Sequence, residues 1–435
     1  MTSGSARDPL GRIVVSNIGT HPEPAYLAAG LKEAGHDVLY LTASTWPRGH
    51  WLIKFSKSAL GSRIPGIRSL PRRQLPPPLG TKEVRGTSRW AEAIFQALIP
   101  LAPNSIPRLQ VARTDIFRRR AGRIAASLSP SIVIGQYTSA LEAFQLSGGA
   151  LRVLMYPIAH HRWMAEHLTA DAERNPLWAE FLQGNTFTPE QLTTLDGEIE
   201  LADVIIVPGT FVARTFTETG VNPEKLVSLN LGVDLSQFPA GAPDTSARRG
   251  SKRGLQVLFV GQVNQRKGIS YLLDGFAAAA LPEAQLTIIG RASPAMTQRI
   301  AGQRQVRLIP GVPKAEVARF MREADVLVLP SLAEGFPLVV MEAMSSGTAC
   351  IVSPQTSAED IIESGVNGLV VEADSDEVGR ALRAVDGDRE WLAHMSERAR
   401  RRVEDFTWER YSLAGAALVA DVALRQRRSK GGAAS

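Results

Sequence analysis

Two acidic residues, Glu334 and Glu342, stand with seven residues between them in the stretch ADVLVLPSLAEGFPLVVMEAMSSGTACIVS. A short apolar run ended by Pro330 reads as a strand, SLAEGFP as a loop, and Leu338, Val339, Met341 and Met344 as one face of a helix. Pro337 falls where a first helical turn accepts proline, and Gly347 where a helix stops. Acids around a helix N-terminus behind a strand suit a ligand rich in hydroxyl groups, because a carboxylate can accept two hydrogen bonds from a ribose diol. A second candidate lies in FVGQVNQRKGISYLL, where Arg266 and Lys267 precede Gly268 at the start of a helix. Cations there oppose the helix dipole, so their placement favours an anion at the same spot. The segment is not a Walker loop, which needs GxxxxGK followed by Ser or Thr. Both candidates fall at strand C-terminal ends of one parallel sheet, so one site would offer cations for phosphates and a carboxylate for hydroxyls.

Other reactive residues carry less. His160, His161 and His167 lack HExxH spacing, and no metal site is expected. Asp386-Gly387-Asp388 spells DxD but follows a helix, which makes it a capping turn. The single cysteine, Cys350, lies in the apolar run TACIVS and reads as a buried, inert thiol.

These residues need a scaffold of alternating strands and helices. Residues 11–41 read as strand, loop with Gly19, helix from Pro22 to Ala34, and strand from His36 to Leu41; one glycine is too few for a dinucleotide fingerprint. From Ala43 to Ile106 prolines interrupt every element, giving an irregular insertion with one or two helices, such as Ser88–Leu98. Alternation resumes with helix Thr114–Leu128, strand Ser131–Ile134, helix Thr138–Leu146 and strand Arg152–Tyr156. It continues through helix Pro189–Leu201, strand Asp203–Val207, helix Thr210–Thr219 and strand Lys225–Leu229. AGAPDTSARRGSKRG reads as a linker, after which a second alternation begins, including helix Ala358–Glu363, strand Gly368–Val371 and helix Glu377–Val385. Long helices follow, with a break around Phe406–Trp408. The expected architecture is α/β: two doubly wound, Rossmann-like domains facing a cleft. The expected boundaries are a first domain at 1–238, a linker at 239–254, a second domain at 255–405, and a terminal helical segment at 406–435 packing back toward the first domain.

A chain of 435 residues with 44% hydrophobic and 21% charged residues has the composition of a globular protein with sizeable cores. One cysteine excludes an intramolecular disulfide and fits a reducing cytoplasm. The N-terminus lacks an apolar signal region, and no run is long enough for a membrane span, so a cytoplasmic location is expected. Net charge is +6, but residues 43–123 hold 16 Lys/Arg against three acids, a local +13 that leaves −7 elsewhere. Interleaved with Trp46, Trp51, Phe55 and Trp90, this region reads either as a peripheral docking surface for an anionic membrane or as an Arg-rich solvated face. No nucleic-acid partner is expected.

LPSLAEGFPLVVMEAMSSGTACIVS resembles the Glu-x7-Glu motif of retaining GT-B glycosyltransferases of family 4, and FVGQVNQRKG resembles that family's phosphate loop. ELADVIIVPGTFVARTF, LNLGVDLSQF and ESGVNGLVVEADSDEV resemble further family segments, so the likeness runs from about Leu201 to Val385. The resemblance implies a GT-B fold and transfer of a hexose-type sugar from a UDP- or GDP-linked donor with retention of configuration. A glycan, a lipid-linked molecule or a small molecule would accept the sugar; the nucleotide sugar is a co-substrate, and no cofactor or metal is implied. Lys267, with Gly261 and Arg266, matches the residues at the donor diphosphate. Glu342 matches the acid on the ribose, and Glu334 the acid near the transferred sugar. Gly335, Phe336, Pro337 and Leu338 would offer backbone amides, and Gly19 would join donor binding from the first domain. His160 resembles the histidine near the donor sugar, with His161 competing for that role. Gln262 departs from the family's common arginine, and SPQTSAEDII lacks its glycines. A glycogen-synthase-like or phosphorolytic enzyme on the same fold, and a non-catalytic assembly partner, are the alternative readings.

Overall fold

Strand-length runs of Val, Ile and Leu, mostly buried on both faces, build two parallel sheets, the pattern expected where helices cover both sides. The computed structural model describes residues 10–19, 21–43, 75–80, 82–87, 106–239 and 253–432, with single positions at 54, 55, 58, 92 and 95. The first sheet contains β1 (Ile13–Asn17), β2 (Val38–Thr42), β3 (Val84–Gly86), β4 (Ile132–Gln136), β5 (Leu151–Met155), β6 (Val204–Val207) and β7 (Leu226–Ser228), in the order β3-β2-β1-β4-β5-β6-β7. The second contains β8 (Gln256–Val260), β9 (Gln285–Ile289), β10 (Val306–Ile309), β11 (Val326–Leu329), β12 (Ala349–Val352) and β13 (Leu369–Val370), in the order β10-β9-β8-β11-β12-β13. All pairings are parallel, and in each sheet the strand order reverses beside the first strand, at β1/β4 and at β8/β11. The crevice beyond the carboxyl ends of strands at such a reversal is where doubly wound sheets bind ligands.

Several sequence expectations are corrected. The insertion after Ala43 carries an edge strand, β3, in register with Tyr40–Thr42. The helix expected from Thr114 begins at Ile106, and the strand expected from His36 begins at Val38. Ala358–Glu363 is not a helix but a single 3-10 turn, Ala358–Asp360, opened by Ser357 at φ +53°. The proposed helix Ser88–Leu98, apart from Glu92 and Phe95, together with Trp46, Trp51, Trp90 and nearly all of the linker, lies outside the described residues.

The final helix, Trp408–Gly432, packs against the first-domain helix Glu23–Glu33. Trp408 stacks on Tyr26 at 4.3 Å, and Ser412 Oγ donates to the Tyr26 carbonyl at 2.9 Å. The first-domain layer is therefore completed by the chain's last segment. Elsewhere the domains meet through the loop after β11, whose Leu332 and Ala333 are buried in a first-domain apolar cluster with Tyr156, Met164 and Leu168.

Candidate functional site

The loops after β8 and β11, neighbours in the second sheet, bring the predicted cations and the first predicted acid together. A 3-10 turn, Gln265–Lys267, follows β8, with the Asn264 side chain accepting the Lys267 N–H at 3.1 Å. Gly268 then caps the helix Ile269–Ala279 at φ +70°. A Cβ there would lie 1.8 Å from the Pro330 carbonyl oxygen, so glycine serves both the left-handed backbone and the close approach of the two loops. The Leu332 N–H donates to the Arg266 carbonyl at 2.9 Å, and Arg266 Nη1 donates to the Ala333 carbonyl at 2.7 Å.

Glu334 Oε1 is the meeting point. It is in direct contact with Lys267 Nζ and accepts from Arg266 Nη1 at 3.1 Å. Burial alone would push the Glu334 carboxyl upward, but the two cations outweigh it and hold it below the usual carboxylate range. Burial pushes Lys267 down, and Arg266 adds to this against the opposing pull of Glu334. The result is a nearly buried cluster with two positive charges and one negative, a net positive focus at the mouth of the sheet. A diphosphate is the kind of group that such a surplus attracts. Gly261 lies beside the same lysine: a Cβ on it would sit 3.9 Å from Lys267 Cε.

Glu342 does not join this cluster. It sits on the helix Leu338–Ser345 and pairs with the exposed Lys314 at 3.5 Å; burial raises its carboxyl, with Lys314 partly opposing. The two glutamates are thus held apart and differently paired. The amides expected from the intervening loop are only partly available. Pro337 has no N–H, and the Leu338 N–H already donates to the Phe336 carbonyl at 2.9 Å. The Gly335 and Phe336 amides form no hydrogen bond among the described residues. Gly335 is pressed against the first domain: a Cβ there would lie 1.6 Å from the Pro157 carbonyl oxygen.

Pro157 leads on the first-domain side to the two histidines. His161 is engaged at both nitrogens, Nδ1 with Tyr156 Oη at 3.1 Å and Nε2 with Asp196 Oδ1 at 2.9 Å. His160 accepts the Arg162 N–H at Nδ1, capping the helix His161–Arg174, and its Nε2 forms no hydrogen bond among the described residues. Burial, then the neighbouring His161, push His160 down to about 3, so its ring is neutral at physiological pH. The two rings stack at 4.4 Å, yet only His160 keeps a nitrogen to offer a ligand. Gly19 lies at the end of β1 at φ +95°, its N–H donated to Asn17 Oδ1, and makes no contact with the Arg266–Lys267–Glu334 cluster among the described residues. No group of three or more His, Cys, Asp or Glu side chains among the described residues could hold a metal ion. Asp388 caps the helix Arg389–Val403 by accepting the Trp391 N–H at 2.8 Å.

Sequence reading missed the residues that brace the cation loop from the first domain. Asp171, Asn175 and Gln183 reach Gln265, Tyr271 and Asn264 across the interface. Arg299 lies over the Trp178 ring at 4.1 Å. An aspartate near the end of a polar helix carries no local signal of such a role.

The family described as "Glycosyl transferases group 1" matches residues 254–386, the second domain. A D-inositol 3-phosphate glycosyltransferase from Geodermatophilus obscurus is 30% identical over 248 residues, covering 51% of this chain and 54% of that protein. The chain thus spans about half the length of the curated relatives it matches. Sucrose-phosphate synthase from Thermosynechococcus elongatus superposes with a TM-score of 0.64 at 20% identity, covering 95% of this chain and 99% of that one. HepE from Anabaena, in complex with UDP and glucose, superposes with a TM-score of 0.61 at 16% identity, covering 94% and 100%. The fold is GT-B.

Proposed function

We propose that the protein is a retaining glycosyltransferase that moves a hexose-type sugar from a nucleoside diphosphate donor to a hydroxyl-bearing acceptor. The observation that carries this reading is the convergence of Arg266 and Lys267 on Glu334 Oε1 at the strand-order reversal of the second sheet. In this reading the leaving diphosphate gains negative charge as the glycosidic bond breaks, and fixed cations aimed at it lower the barrier. The transferred sugar lies against Glu334 and the free amides of Gly335 and Phe336, with neutral His160 presenting Nε2 from the first domain. Glu342 accepts the ribose hydroxyls and Lys314 swings away to admit them.

Departure and attack on one face of the sugar, through an oxocarbenium-like state, fit better than a covalent intermediate. On the first-domain side, Asp196 is held by His161 and Arg162, and Glu198 accepts three backbone N–H groups, from Thr138, Ala140 and Leu141. Neither is free to act as a nucleophile. The relative named for D-inositol 3-phosphate makes a phosphorylated polyol one acceptor to test, beside glycans and lipid-linked sugars.

A thermal-shift screen with UDP, GDP, UDP-glucose and GDP-mannose tests the donor reading, since ligand at about 100 times its Kd stabilises the fold by about 2.7 kcal/mol. Stabilisation by a nucleoside diphosphate, followed by release of that diphosphate when acceptor is added to the sugar nucleotide, supports it; a flat screen refutes it. For an anionic membrane as partner, the helix Ile106–Ser127 offers exposed Arg119, Arg120 and Arg123 with the exposed apolar side chains Val111 and Ile116. No described helix is long and apolar enough to cross a membrane. Flotation with phosphatidylglycerol vesicles, lost at high salt, is the expected result; no binding at low salt rejects this part.

A further inference from the structure

The cation loop is gripped from the opposite domain by a buried polar cluster. Asp171, on the helix His161–Arg174, and Gln265, the residue before Arg266, are both fully buried. Asp171 Oδ2 accepts from Gln265 Nε2 at 3.0 Å; Oδ1 accepts from Asn175 Nδ2 at 3.1 Å and from the Tyr271 hydroxyl in a shorter contact. Asn175 Nδ2 also donates to Tyr271 Oη at 2.6 Å. Gln265 Oε1 in turn accepts the Ser270 N–H at 3.3 Å, which ties the cluster to the first turn of the next helix. One residue upstream, Asn264 Nδ2 donates to Gln183 Oε1 of the first domain at 2.9 Å, while Asn264 Oδ1 holds the Lys267 N–H. Gly184 lies against Arg266 as well: a Cβ on it would sit 3.6 Å from Arg266 Cδ. The three-residue turn bearing both cations is therefore held at its first residue by Asp171 and at its cap by Gln183.

We propose that Asp171 is a positioning residue of the donor site, orienting Arg266 and Lys267 through Gln265 and Tyr271 so that their alignment depends on the first domain. The inference rests on the donor reading above, because it assigns the aligned cations to a diphosphate. A buried carboxylate suits this role because its two oxygens take three donors at once, whereas an amide of the same shape has one acceptor oxygen and turns an N–H toward a donor. A residue that only supported the fold would affect every ligand alike. One that aligns the cations affects the diphosphate and spares the nucleoside.

The test compares UDP with uridine and GDP with guanosine by calorimetry on the full chain. In wild type the diphosphate binds more tightly than its nucleoside. In Asp171→Asn that preference falls about tenfold, the size of one charge-assisted hydrogen bond's worth of alignment, and nucleoside affinity stays within about twofold. Tyr271→Phe, which keeps the ring and loses only the hydroxyl, shifts the preference the same way by a smaller factor, and it carries the test if the aspartate variant does not fold. An unchanged preference in folded variants, or an equal fall for nucleoside and diphosphate, overturns the role of Asp171 while leaving the donor reading intact. Absence of any diphosphate preference in wild type overturns both.

Discussion

Replacing Lys267 with alanine removes one of two cations from a nearly buried cluster, and the consequences for catalysis and stability separate. At an effective dielectric near 20, a unit charge pair at ~4 Å is worth roughly 4 kcal/mol. If most of that develops only as the diphosphate leaves, the loss in kcat is on the order of 10³. Stability suffers less. Glu334 keeps Arg266 at 3.1 Å, so the variant does not leave a wholly unpaired buried charge, for which about 3–5 kcal/mol would be expected; about 1–3 kcal/mol is expected instead. The pH dependence has a definite sign. The folded Glu334 carboxyl is held below its unfolded value, so the pair's contribution is present above pH ~4.3 and is lost as pH falls through the folded value. The stability gap between wild type and Lys267→Ala therefore narrows on acidification below about pH 4. The assay is steady-state release of UDP or GDP from the sugar nucleotide selected by the screen, with urea unfolding run in parallel. Turnover within about threefold of wild type in a folded variant would mean that Lys267 does not face the leaving group, and the assignment of the cluster would fall.

Further outcomes are expected from the same geometry. His160 is held near 3 while an unfolded histidine titrates near 6.5, so folding stability rises with pH across that window by up to about 1.4 kcal/mol per unit from this ring; His160→Gln removes that slope in denaturation curves taken from pH 4 to 7, and an unaltered slope refutes a neutral His160. Glu342→Gln weakens nucleoside diphosphate binding about 10- to 100-fold but leaves 2′,3′-dideoxy analogues unaffected, since only the ribose hydroxyls meet the lost carboxylate; equal losses for both would remove Glu342 from the ribose. Gly335→Ala places a methyl group 1.6 Å from the Pro157 carbonyl oxygen, which forces the loop away from the first domain. Transfer is lost in that variant while the second domain's nucleotide affinity changes by less than about tenfold; full activity would show that the loop does not need this contact.

The architecture was legible because it rests on local periodicity. Apolar runs of four or five residues, each followed by an amphipathic helix and a turn, leave a doubly wound parallel arrangement as the expected solution, and both sheets have it. The reading failed where side-chain and backbone competition decides the outcome. Ala358–Glu363 has helical composition, yet it is opened by Ser357 in the left-handed region and leaves helical geometry at Ile361, φ −122°, after one tight turn. The edge strand Val84–Gly86 is only three residues long and takes its register from Tyr40–Thr42, so it left no periodic trace.

For the candidate site, the local sequence singles out Arg266, Lys267, Glu334 and Glu342, because a charge beside a helix N-terminus or after a strand has a local signature. It could not say that Lys267 and Arg266 share one oxygen of Glu334 while Glu342 pairs with Lys314. That pairing depends on β8 and β11 being neighbours, although 65 residues separate the ends of those strands, from Val260 to Val326, and on the close approach of Gly268 to Pro330. Nor could it distinguish His160 from His161, which differ only in what surrounds them: Tyr156 and Asp196 occupy both nitrogens of His161, while Nε2 of His160 has no hydrogen bond among the described residues. The grip of Asp171 on the cation turn lies furthest from local reading, because it joins residues 94 positions apart across two domains. Sequence determined which chemistries the chain carries; tertiary structure decided which groups face each other, because burial and charge pairing act through space and not along the chain.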